Sequence, residues 1–394
     1  MPPHPTRTVI LGCSFAALEF LYRTSRRLGR FAPGEVTVVE PLGSHAYIPL
    51  MHEVVSGARS AERLQFDTAR FCRAIGATLV HRTAASVDPV RRVVRLSDAA
   101  EVAYDRLIVT IGSVPDLDPA IGPTENVYTA KFLDSARQLR ARLLALAAQG
   151  DSPIRVAVIG AGITGVEWSA ELAGRGLPGA RVVVTLIGRE SRILPEFSPN
   201  VARHAARRLD QLGVHTLVGR ETTTVRAGAV RVRGGDMGDG EVECDIVVWA
   251  AGVRPSAVAS SLGLPLTAAG RVVVTPRLDV PGFPGVFAAG DAASIVEDGH
   301  TWPTAVRAIE AIWQGAYLAR RLQSDASIEV APRYRFHRTF FFGLSLGPSH
   351  SLIVYRRWWL GARFFVGFRR WLQWAYYARF HLLAGWRMAS EASR

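Results

Sequence analysis

The chain has 394 residues, a formal net charge of +13 and 48% apolar residues. The length predicts two or three domains, and the apolar content, with only 21% charged residues, excludes a wholly disordered protein. Almost all the positive charge is arginine, and this favours anionic partners such as phosphorylated cofactors or anionic lipids; nucleic acid is not expected, because no nucleic-acid-binding motif accompanies the charge.

The first predicted elements are a strand, a turn and a helix over residues 8–22. Gly12 opens the turn, and two small residues, Ser14 and Ala17, stand where a GxGxxG dinucleotide-binding turn has its later glycines. The next apolar run ends in Glu40, at the position where an acid binds the ribose hydroxyls of an adenosine. These residues predict a nucleotide site with an imperfect glycine turn; a purely structural turn is the alternative.

The same pattern recurs at residues 155–172, where Gly160, Gly162 and Gly165 satisfy GxGxxG. In such a turn the first glycine allows the bend, the second lets the backbone approach a pyrophosphate, and the third allows close strand–helix packing. The pyrophosphate lies at the helix N-terminus. The second unit therefore predicts a dinucleotide site with a complete glycine turn.

The two units differ at the position where an acid would bind the ribose hydroxyls; we call this position the ribose end of the unit. Its apolar run ends at Gly188, which is as far from the first glycine as Glu40 is in the first unit, and Arg189 and Arg192 follow. Loss of the acid and the presence of arginine favour a phosphorylated ribose, and hence NADPH over NADH. Arginines that are merely solvated are the alternative in so arginine-rich a chain.

A third pair of matched segments, 107–115 and 246–255, completes the repeat with apolar runs that end in a Gly/Pro turn. Three matched elements in the same order predict an α/β fold with two Rossmann-like dinucleotide-binding domains in tandem. The segment 285–294 supplies a return to the first domain. We expect three parts: a discontinuous first domain (1–118 and 270–345), a second domain (119–269) and a C-terminal segment (346–394).

The end of the chain is predicted to form an amphipathic helix. Polar and mostly basic residues share one side of a helical wheel, namely Arg369, Arg370, Gln373, Arg379, His381 and Arg387. The other side is apolar, namely Trp371, Leu372, Trp374, Ala375, Ala378, Leu382, Leu383 and Trp386. This pattern predicts a helix on an anionic membrane surface, with rings at headgroup level and guanidinium groups on lipid phosphates. A dimer interface, or packing on the protein's own core, is the alternative.

Cys13, Cys72 and Cys244 are the only cysteines and lie far apart in the sequence. This spacing excludes CxxC and CxxxxC redox pairs and a cysteine-based zinc site, so no metal is predicted, and Cys13 is expected to be a packing residue. Sparse cysteines favour the cytoplasm. The polar, proline-rich start is not typical of a signal peptide, and no apolar run of about 18 residues predicts a spanning helix.

The motifs resemble the flavoproteins of the pyridine nucleotide-disulfide oxidoreductase superfamily, and most closely the type II NADH dehydrogenases, which are non-pumping NADH:quinone oxidoreductases. The resemblance covers roughly residues 8–345. It rests on GCSFAALEF (12–20), SHAYIPLMHEVVSG (44–57), YDRLIVTIGSVPD (104–116), GAGITGVEWSAEL (160–172), VTLIGRESRILPEF (184–197), DIVVWAAGVRPS (245–256) and GVFAAGDAAS (285–294). It implies FAD in the first domain and NADH or NADPH in the second.

The resemblance also implies roles for single residues. Asp291 would contact the ribityl and pyrophosphate part of FAD, and residues from Thr304 to Val306 would cap the flavin with a helix N-terminus. Glu167 would lie near the nicotinamide and the flavin as the catalytic residue; a plain helix-face carboxylate is the alternative. Motifs and resemblance together nominate these cofactor-binding residues: Gly12, Ser14, Phe15, Ala16, Glu40, Tyr47, Pro49, Thr110, Gly112, Gly160, Gly162, Thr164, Gly165, Arg189, Arg192, Gly252, Gly290, Asp291, Thr304 and Ala305.

One helix departs from the family pattern. Ile309 and Trp313 stand where the family has glutamines near the quinone, and Gln314 is retained. The quinone pocket is therefore expected to be altered, or the acceptor to differ. The absence of paired cysteines disfavours the related disulfide reductases and sulfide:quinone reductases.

The sequence thus predicts a peripheral enzyme on the cytoplasmic face of the membrane that takes a hydride from NAD(P)H onto FAD and passes two electrons to a quinone. A soluble reductase of a ferredoxin-like protein is one alternative, since a basic surface suits an acidic partner. A non-catalytic flavin- or nucleotide-binding sensor is another, suggested by the imperfect first glycine turn. A homodimer through the C-terminal segment is left open.

Overall fold

A computed structural model describes residues 6–117, 122, 126–150, 153–235, 238–302, 306–323, 332–335, 341–356 and 358–392, with side chains as far as residue 385. Its helices are α1 (Phe15–Leu28), α2 (His52–Val55), α3 (Thr68–Ile75), α4 (Leu133–Ala147), α5 (Ile163–Arg175), α6 (Pro199–Gln211), α7 (Val258–Ser261), α8 (Ala308–Gln323) and α9 (Phe364–Ala392).

The strands fall into three groups along the chain. Those of the first part are β1 (Thr8–Leu11), β2 (Val36–Val39), β3 (Ser44–Ala46), β4 (Gln65–Asp67), β5 (Thr78–Val80), β6 (Ala84–Asp88), β7 (Val93–Leu96), β8 (Glu101–Ala103), β9 (Arg106–Val109) and β10 (Ser113–Pro115). Those of the second part are β11 (Val127–Thr129), β12 (Ile154–Ile159), β13 (Val182–Ile187), β14 (His215–Leu217), β15 (Glu221–Arg226), β16 (Ala229–Arg233), β17 (Gly240–Glu243), β18 (Ile246–Trp249) and β19 (Val253–Pro255). The last group is β20 (Val272–Val274), β21 (Val286–Ala288), β22 (Ala293–Glu297), β23 (His300–Thr301), β24 (Phe342–Ser345), β25 (Ser351–Tyr355) and β26 (Trp358–Ala362).

The first large sheet is parallel, with strand order β21-β9-β1-β2-β5. Its central strand β1 is buried along its whole length, as is typical of parallel strands covered by helices on both faces. Strand β21 joins the sheet beside β9, so the chain returns here after the second repeat. Helices α1 and α8 cross closely because Gly315 has no side chain; a Cβ there would lie 2.2 Å from the carbonyl oxygen of Ala16.

The second large sheet repeats this plan with strand order β11-β18-β12-β13-β14. Strands β12, β13 and β14 are arranged as β1, β2 and β5 are in the first sheet. Each unit also carries a three-stranded antiparallel sheet, β6–β8 in the first and β15–β17 in the second. The prediction of two Rossmann-like units in tandem is confirmed.

The C-terminal segment contributes β25, β26 and the long helix α9, and β24, which directly precedes the segment, completes an antiparallel sheet with the two strands. One side of α9 packs on the first domain, where Tyr377 stacks on Phe66 at 5.2 Å between ring centroids and Phe380 meets Phe71 at 5.5 Å. The opposite side is exposed and apolar; this apolar face of α9 includes Phe364, Trp371, Leu372, Trp374 and Leu382. Across the described ranges, every helix falls short of the length and apolar character that crossing a bilayer requires.

The basic side of α9 faces the protein, and this corrects the predicted contact with lipid phosphates. Three of its arginines pair with buried glutamates: Arg369 with Glu167, Arg370 with Glu53 and Arg379 with Glu19. Buried carboxylates need a positive partner, because an unpaired charge is costly away from water. The side chains of Trp386 and Arg387 lie outside the described residues.

Candidate active site

A cavity of about 1220 Å³ lies between the two nucleotide-binding units and the C-terminal segment; we call it the cofactor cavity. It exceeds the volumes of ~300–1,000 Å³ that are usual for small-molecule sites, so it has room for a dinucleotide. Twelve of the predicted site residues line it: Ser14, Phe15, Ala16, Glu40, Tyr47, Pro49, Thr110, Gly112, Thr164, Glu167, Gly290 and Asp291.

The other predicted residues divide into two groups. Those described by the structure but not among the residues lining the cavity are Gly12, Gly160, Gly162, Gly165, Arg189, Arg192 and Gly252. Thr304 and Ala305 lie outside the described residues, so the predicted helix cap over the flavin stays a prediction. Helix α8 begins at Ala308.

Both glycine turns need residues without side chains at the first position. Gly12 has φ +86°, and a Cβ there would lie 2.7 Å from the carbonyl oxygen of Thr110. Gly160 has φ +108° and would place a Cβ 2.5 Å from the carbonyl oxygen of Ala250. The third glycine matters in the second unit alone, since a Cβ on Gly165 would lie 1.7 Å from the carbonyl oxygen of Gly160.

Glu40 holds the first glycine turn from the end of β2. Its carboxylate accepts hydrogen bonds from the backbone N–H of Cys13 at 2.9 Å and from that of Leu42 at 3.1 Å. The side chain is only partly buried and lines the cofactor cavity. It is therefore placed to accept hydrogen bonds from ribose hydroxyls beside a phosphate loop.

The corresponding position in the second unit cannot carry a side chain without a shift. A Cβ on Gly188 would lie 2.4 Å from the Cβ of Ala161. The Arg189 side chain is 79% exposed and lies 3.3 Å from Glu190. Arg192 donates to the carbonyl oxygens of Leu194, Pro195 and Phe197 at 2.8–2.9 Å. Its guanidinium is already engaged with the backbone, which leaves Arg189 as the better candidate for a ribose phosphate.

Asp291 lies in a small polar cluster that the sequence did not predict in full. It accepts from Ser113 Oγ at 2.5 Å and from Lys131 Nζ at 3.1 Å, and Lys131 also bonds Ser113 at 3.0 Å. All three residues line the cofactor cavity. The one available signal was that Lys131 is the only lysine of the chain. Next to this cluster, the N–H of Gly290 donates to Gln314 Oε1 at 2.7 Å. Gln314 is buried, and this hydrogen bond satisfies its side-chain oxygen.

Glu167 is a buried carboxylate with a partner from the C-terminal helix. Its Oε1 accepts from Arg369 Nη2 at 2.7 Å and from the N–H of Ser345 at 2.8 Å. Burial raises the pKa of Glu167, while Arg369 and the Ser345 N–H act in the opposite direction. Arg369 also donates to the carbonyl oxygen of Pro49 at 3.2 Å. The pair therefore links the second unit, the first unit and α9 at one wall of the cavity.

Aromatic side chains cover another wall of the cavity. Phe15 packs edge-on against His45 at 4.5 Å and Tyr47 at 5.9 Å between ring centroids. Burial raises the pKa of the Tyr47 hydroxyl and lowers that of His45 to about 3, so both side chains are neutral near pH 7.

The cavity also reaches the protein surface on the side of α9. Phe341 and Leu372 line it and are 73% and 42% exposed. Ile309, which replaces a family glutamine, lines the same cavity, whereas Trp313 packs against the core. The sequence did not identify Phe341, because its contact with the cavity depends on how the C-terminal sheet folds back.

Two further features of the described part of the chain concern its cysteines and its possible metal ligands. Its three cysteines are buried, and contact with Cys72 and burial raise the pKa of the Cys13 thiol well above its usual range. No group of three metal-ligating side chains occurs among the described residues.

The chain is similar to several known proteins. The type II NADH:quinone oxidoreductase of Mycobacterium tuberculosis is 29% identical over 95% of this chain and 83% of its own length. That of Staphylococcus saprophyticus is 25% identical over 81% of this chain and 82% of its own. Among solved structures, NDH2 from Plasmodium falciparum in complex with NADH superposes with a TM-score of 0.82 and 15% identity, covering 97% of this chain and 98% of that one. Residues 6–315 match the family described as pyridine nucleotide-disulphide oxidoreductase, and the chain belongs to that family.

Proposed function

We propose that this protein is a type II NADH:quinone oxidoreductase that works at a membrane surface. Such an enzyme takes a hydride from a reduced nicotinamide onto FAD and passes two electrons to a quinone. The observation that carries the proposal is the cofactor cavity, which joins both dinucleotide-binding units and reaches the apolar face of α9. The two curated relatives named above bear the same activity in their names.

The first unit fits FAD. Its glycine turn leaves no room for a Cβ at Gly12, and Glu40 is held beside it with a carboxylate directed to the cavity. The polar cluster at Asp291 lies in the same cavity and suits the hydroxyls and phosphates of the cofactor chain. When bound, FAD supplies the two-electron chemistry, and the protein positions it and excludes water.

The second unit is proposed to bind NADH or NADPH. The N–H groups at the start of α5 and the shape of the Gly160 turn suit a pyrophosphate. Arg369 holds Glu167 at the wall where the two units meet, so the carboxylate is a positioning and electrostatic group rather than a solvated base. Arg189 alone supports a preference for NADPH.

The acceptor side is proposed to be the membrane. Where its side chains are described, the apolar face of α9 exposes Trp371 and Trp374, which suits insertion at headgroup level. Phe341 and Leu372 belong to both this surface and the cavity, so a quinone could enter from the bilayer without crossing water. Arg369, Arg370 and Arg379 of α9 pair with buried glutamates, so the helix itself offers an acidic protein acceptor fewer basic groups than its sequence suggests. We place the enzyme on the cytoplasmic face, where NADH is available.

The test is steady-state oxidation of NADH and NADPH by the purified flavoprotein, with a short-chain quinone and with a ferredoxin as separate acceptors. We expect quinone reduction, released FAD in the denatured supernatant, and sedimentation with liposomes. Reduction of ferredoxin alone would overturn the quinone proposal. A protein that retains no flavin would overturn both enzymatic interpretations. Dimers that form only when liposomes are withheld would show that the apolar face of α9 also pairs with a second copy.

A further inference from the structure

A second cavity, of about 440 Å³, lies outside the cofactor site, and we call it the basic cavity. It is formed by the C-terminal half of α6, the turn between β24 and β25, and the residue that precedes α9. Its lining residues are His204, Arg207, Arg208, Gln211, Ser349, His350 and Arg363. Among these described residues there are three guanidinium groups and no carboxylate. The cavity therefore concentrates positive charge without an internal counter-charge.

The guanidinium groups of this cavity are poorly paired. Within the described ranges, neither Arg207 nor Arg363 has an ion-pair partner. Arg208 makes two long hydrogen bonds, 3.4 Å to the carbonyl oxygen of Leu346 and 3.5 Å to Ser349 Oγ. The inward-facing arginines of α9, in contrast, contact carboxylates closely, as Arg369 does with Glu167 at 2.7 Å. The donors of the basic cavity are thus available to an anion.

Two histidines form a fixed wall of the cavity. His204 and His350 face each other with 3.2 Å between their Nε2 atoms, and Trp359 lies against His204 at 4.1 Å between ring centroids. Gly361 makes room for this pair, because a Cβ there would lie 2.9 Å from His350 Nε2. Burial, followed by His350 and two arginines, lowers the pKa of His204; burial, followed by Arg208, lowers that of His350. Both imidazoles are therefore neutral near pH 7, and the positive charge of the cavity comes from its arginines.

The basic cavity is separate from the nicotinamide nucleotide site. In an open parallel sheet, nucleotides bind at the carboxyl edge, which in the second unit is the edge of Gly160 and Gly188. Helix α6 starts after that edge and runs back to β14, so Arg207, Arg208 and Gln211 lie towards the opposite edge. A phosphate of NADPH is accordingly excluded as the occupant.

The neighbouring surface indicates where the anion comes from. Arg363 lies between two exposed apolar stretches: Trp358 and Leu360 are 69% and 64% exposed on one side of it in the chain, and Phe364 is 74% exposed on the other. Arginines at the border of a membrane-facing apolar surface lie at the depth of lipid phosphates, where each basic residue adds binding energy. A free phosphate would gain nothing from these apolar neighbours.

We propose that the basic cavity binds the headgroup phosphate of an anionic phospholipid, with Arg207, Arg208 and Arg363 as donors and the exposed residues of β26 and α9 beside the acyl chains. This site takes over the lipid-phosphate role that the sequence assigned to the inward-facing arginines of α9. It would orient the enzyme on the membrane and is not required for electron transfer itself.

The test is a calorimetric titration of the full-length flavoprotein with dihexanoyl phosphatidylglycerol below its micelle concentration. Parallel titrations use dihexanoyl phosphatidylcholine, glycerol phosphate and inorganic phosphate. The variant R207Q/R363Q removes two donors. The matched control R231Q/R320Q removes the same charge from two exposed arginines that line neither cavity.

We expect phosphatidylglycerol to bind more tightly than phosphatidylcholine, and R207Q/R363Q to weaken it roughly tenfold or more while the control variant does not. NADH oxidation with a soluble quinone should stay unchanged in both variants. Equal binding of the two lipids, or an equal loss in the control variant, would overturn the proposal. Inorganic phosphate that binds as tightly as the lipid would assign the cavity to free phosphate instead. If R207Q/R363Q does not fold, imidazole NMR signals of the wild-type protein decide: those of His204 and His350 should shift with phosphatidylglycerol, and an absence of shift would exclude the site.

Discussion

The two dinucleotide-binding units share the arrangement of four strands, β9-β1-β2-β5 and β18-β12-β13-β14, and the same spacing from the first glycine to the residue after the second strand. They differ at the two points where a dinucleotide is expected to bind. The first unit tolerates Ala17 where the second needs Gly165. Glu40 follows β2 in the first unit, and Gly188 follows β13 in the second. The shared topology sets where a dinucleotide lies. We expect the residues at the turn and after the strand to decide which dinucleotide binds.

The strongest test of this difference is a side chain at the third glycine position. In G165V, the added Cβ would lie 1.7 Å from the carbonyl oxygen of Gly160, and a backbone atom cannot move aside cheaply. Overpacking of this kind costs ~1–3 kcal/mol or more, so we expect a lower Tm and loss of NADH oxidation in stopped-flow assays. The reciprocal variant A17G should cost only ~0.5–1 kcal/mol and retain its flavin. Wild-type NADH affinity in G165V would show that the second turn does not bind the pyrophosphate.

The second test compares the residues that follow β2 in the first unit and β13 in the second. In E40A, the backbone N–H groups of Cys13 and Leu42 lose their acceptor and the adenosine ribose loses its carboxylate. Because hydrogen bonds to a charged group contribute about 1.5–3 kcal/mol, we expect at least roughly tenfold weaker FAD binding, measured as the flavin-to-protein ratio after dialysis. The control E190A, at the ribose end of the second unit, should keep its flavin. Equal flavin loss in both variants would contradict the assignment of the first unit to FAD.

The third test concerns the ion pair between Glu167 and Arg369, through which α9 connects the two units. R369M leaves Glu167 buried without its partner, which typically costs ~3–5 kcal/mol. R370M should cost less, because the Arg370 side chain is 35% exposed and Glu53 keeps Arg59 at 3.1 Å. Urea unfolding of both variants measures the difference between their free energies of unfolding.

The pH dependence of this loss follows from the protonation of Glu167. Without Arg369, the folded-state pKa of Glu167 rises further above the usual value, since the raising effect of burial is then opposed by the Ser345 N–H but not by a positive charge. A raised folded-state pKa gives stability that is lost as pH increases. The deficit of R369M should therefore be smallest below the usual glutamate pKa, where Glu167 is protonated in both states, and grow as pH rises. A deficit that is independent of pH would mean that lost packing, rather than an unpaired charge, causes it.

The features that the sequence predicted are local. Glycine turns, strand ends and their spacing depend on residues close in the chain, so the tandem units and the placement of Glu40 could be inferred without coordinates. The environments of Glu167 and Asp291 could not, because Arg369 and Lys131 reach them from distant parts of the chain.

The orientation of α9 illustrates the same limit. The sequence predicts an amphipathic helix here, but a helical wheel does not show which side of the helix packs on the protein. Buried glutamates on three different elements, Glu19, Glu53 and Glu167, draw the basic side inward and leave the tryptophans outside. We therefore propose the apolar side as the membrane contact and the basic cavity as the lipid-phosphate site.

The smallest expected effect concerns the choice between NADH and NADPH. The Arg189 side chain is 79% exposed and lies 3.3 Å from Glu190, so its contact with a ribose phosphate would be screened by water and shared with a neighbouring acid. Exposed ion pairs contribute ~0.2–1 kcal/mol, and R189Q should therefore lower the NADPH-to-NADH ratio of kcat/KM by at most roughly fivefold. E190Q should change the ratio in the opposite direction, because it removes a carboxylate that repels the phosphate. R192Q should affect both coenzymes equally, since that guanidinium is bound to backbone carbonyls. If R189Q leaves the ratio unchanged, the second unit has no phosphate-binding residue at its ribose end, and only the lost acid at Gly188 distinguishes it from the first.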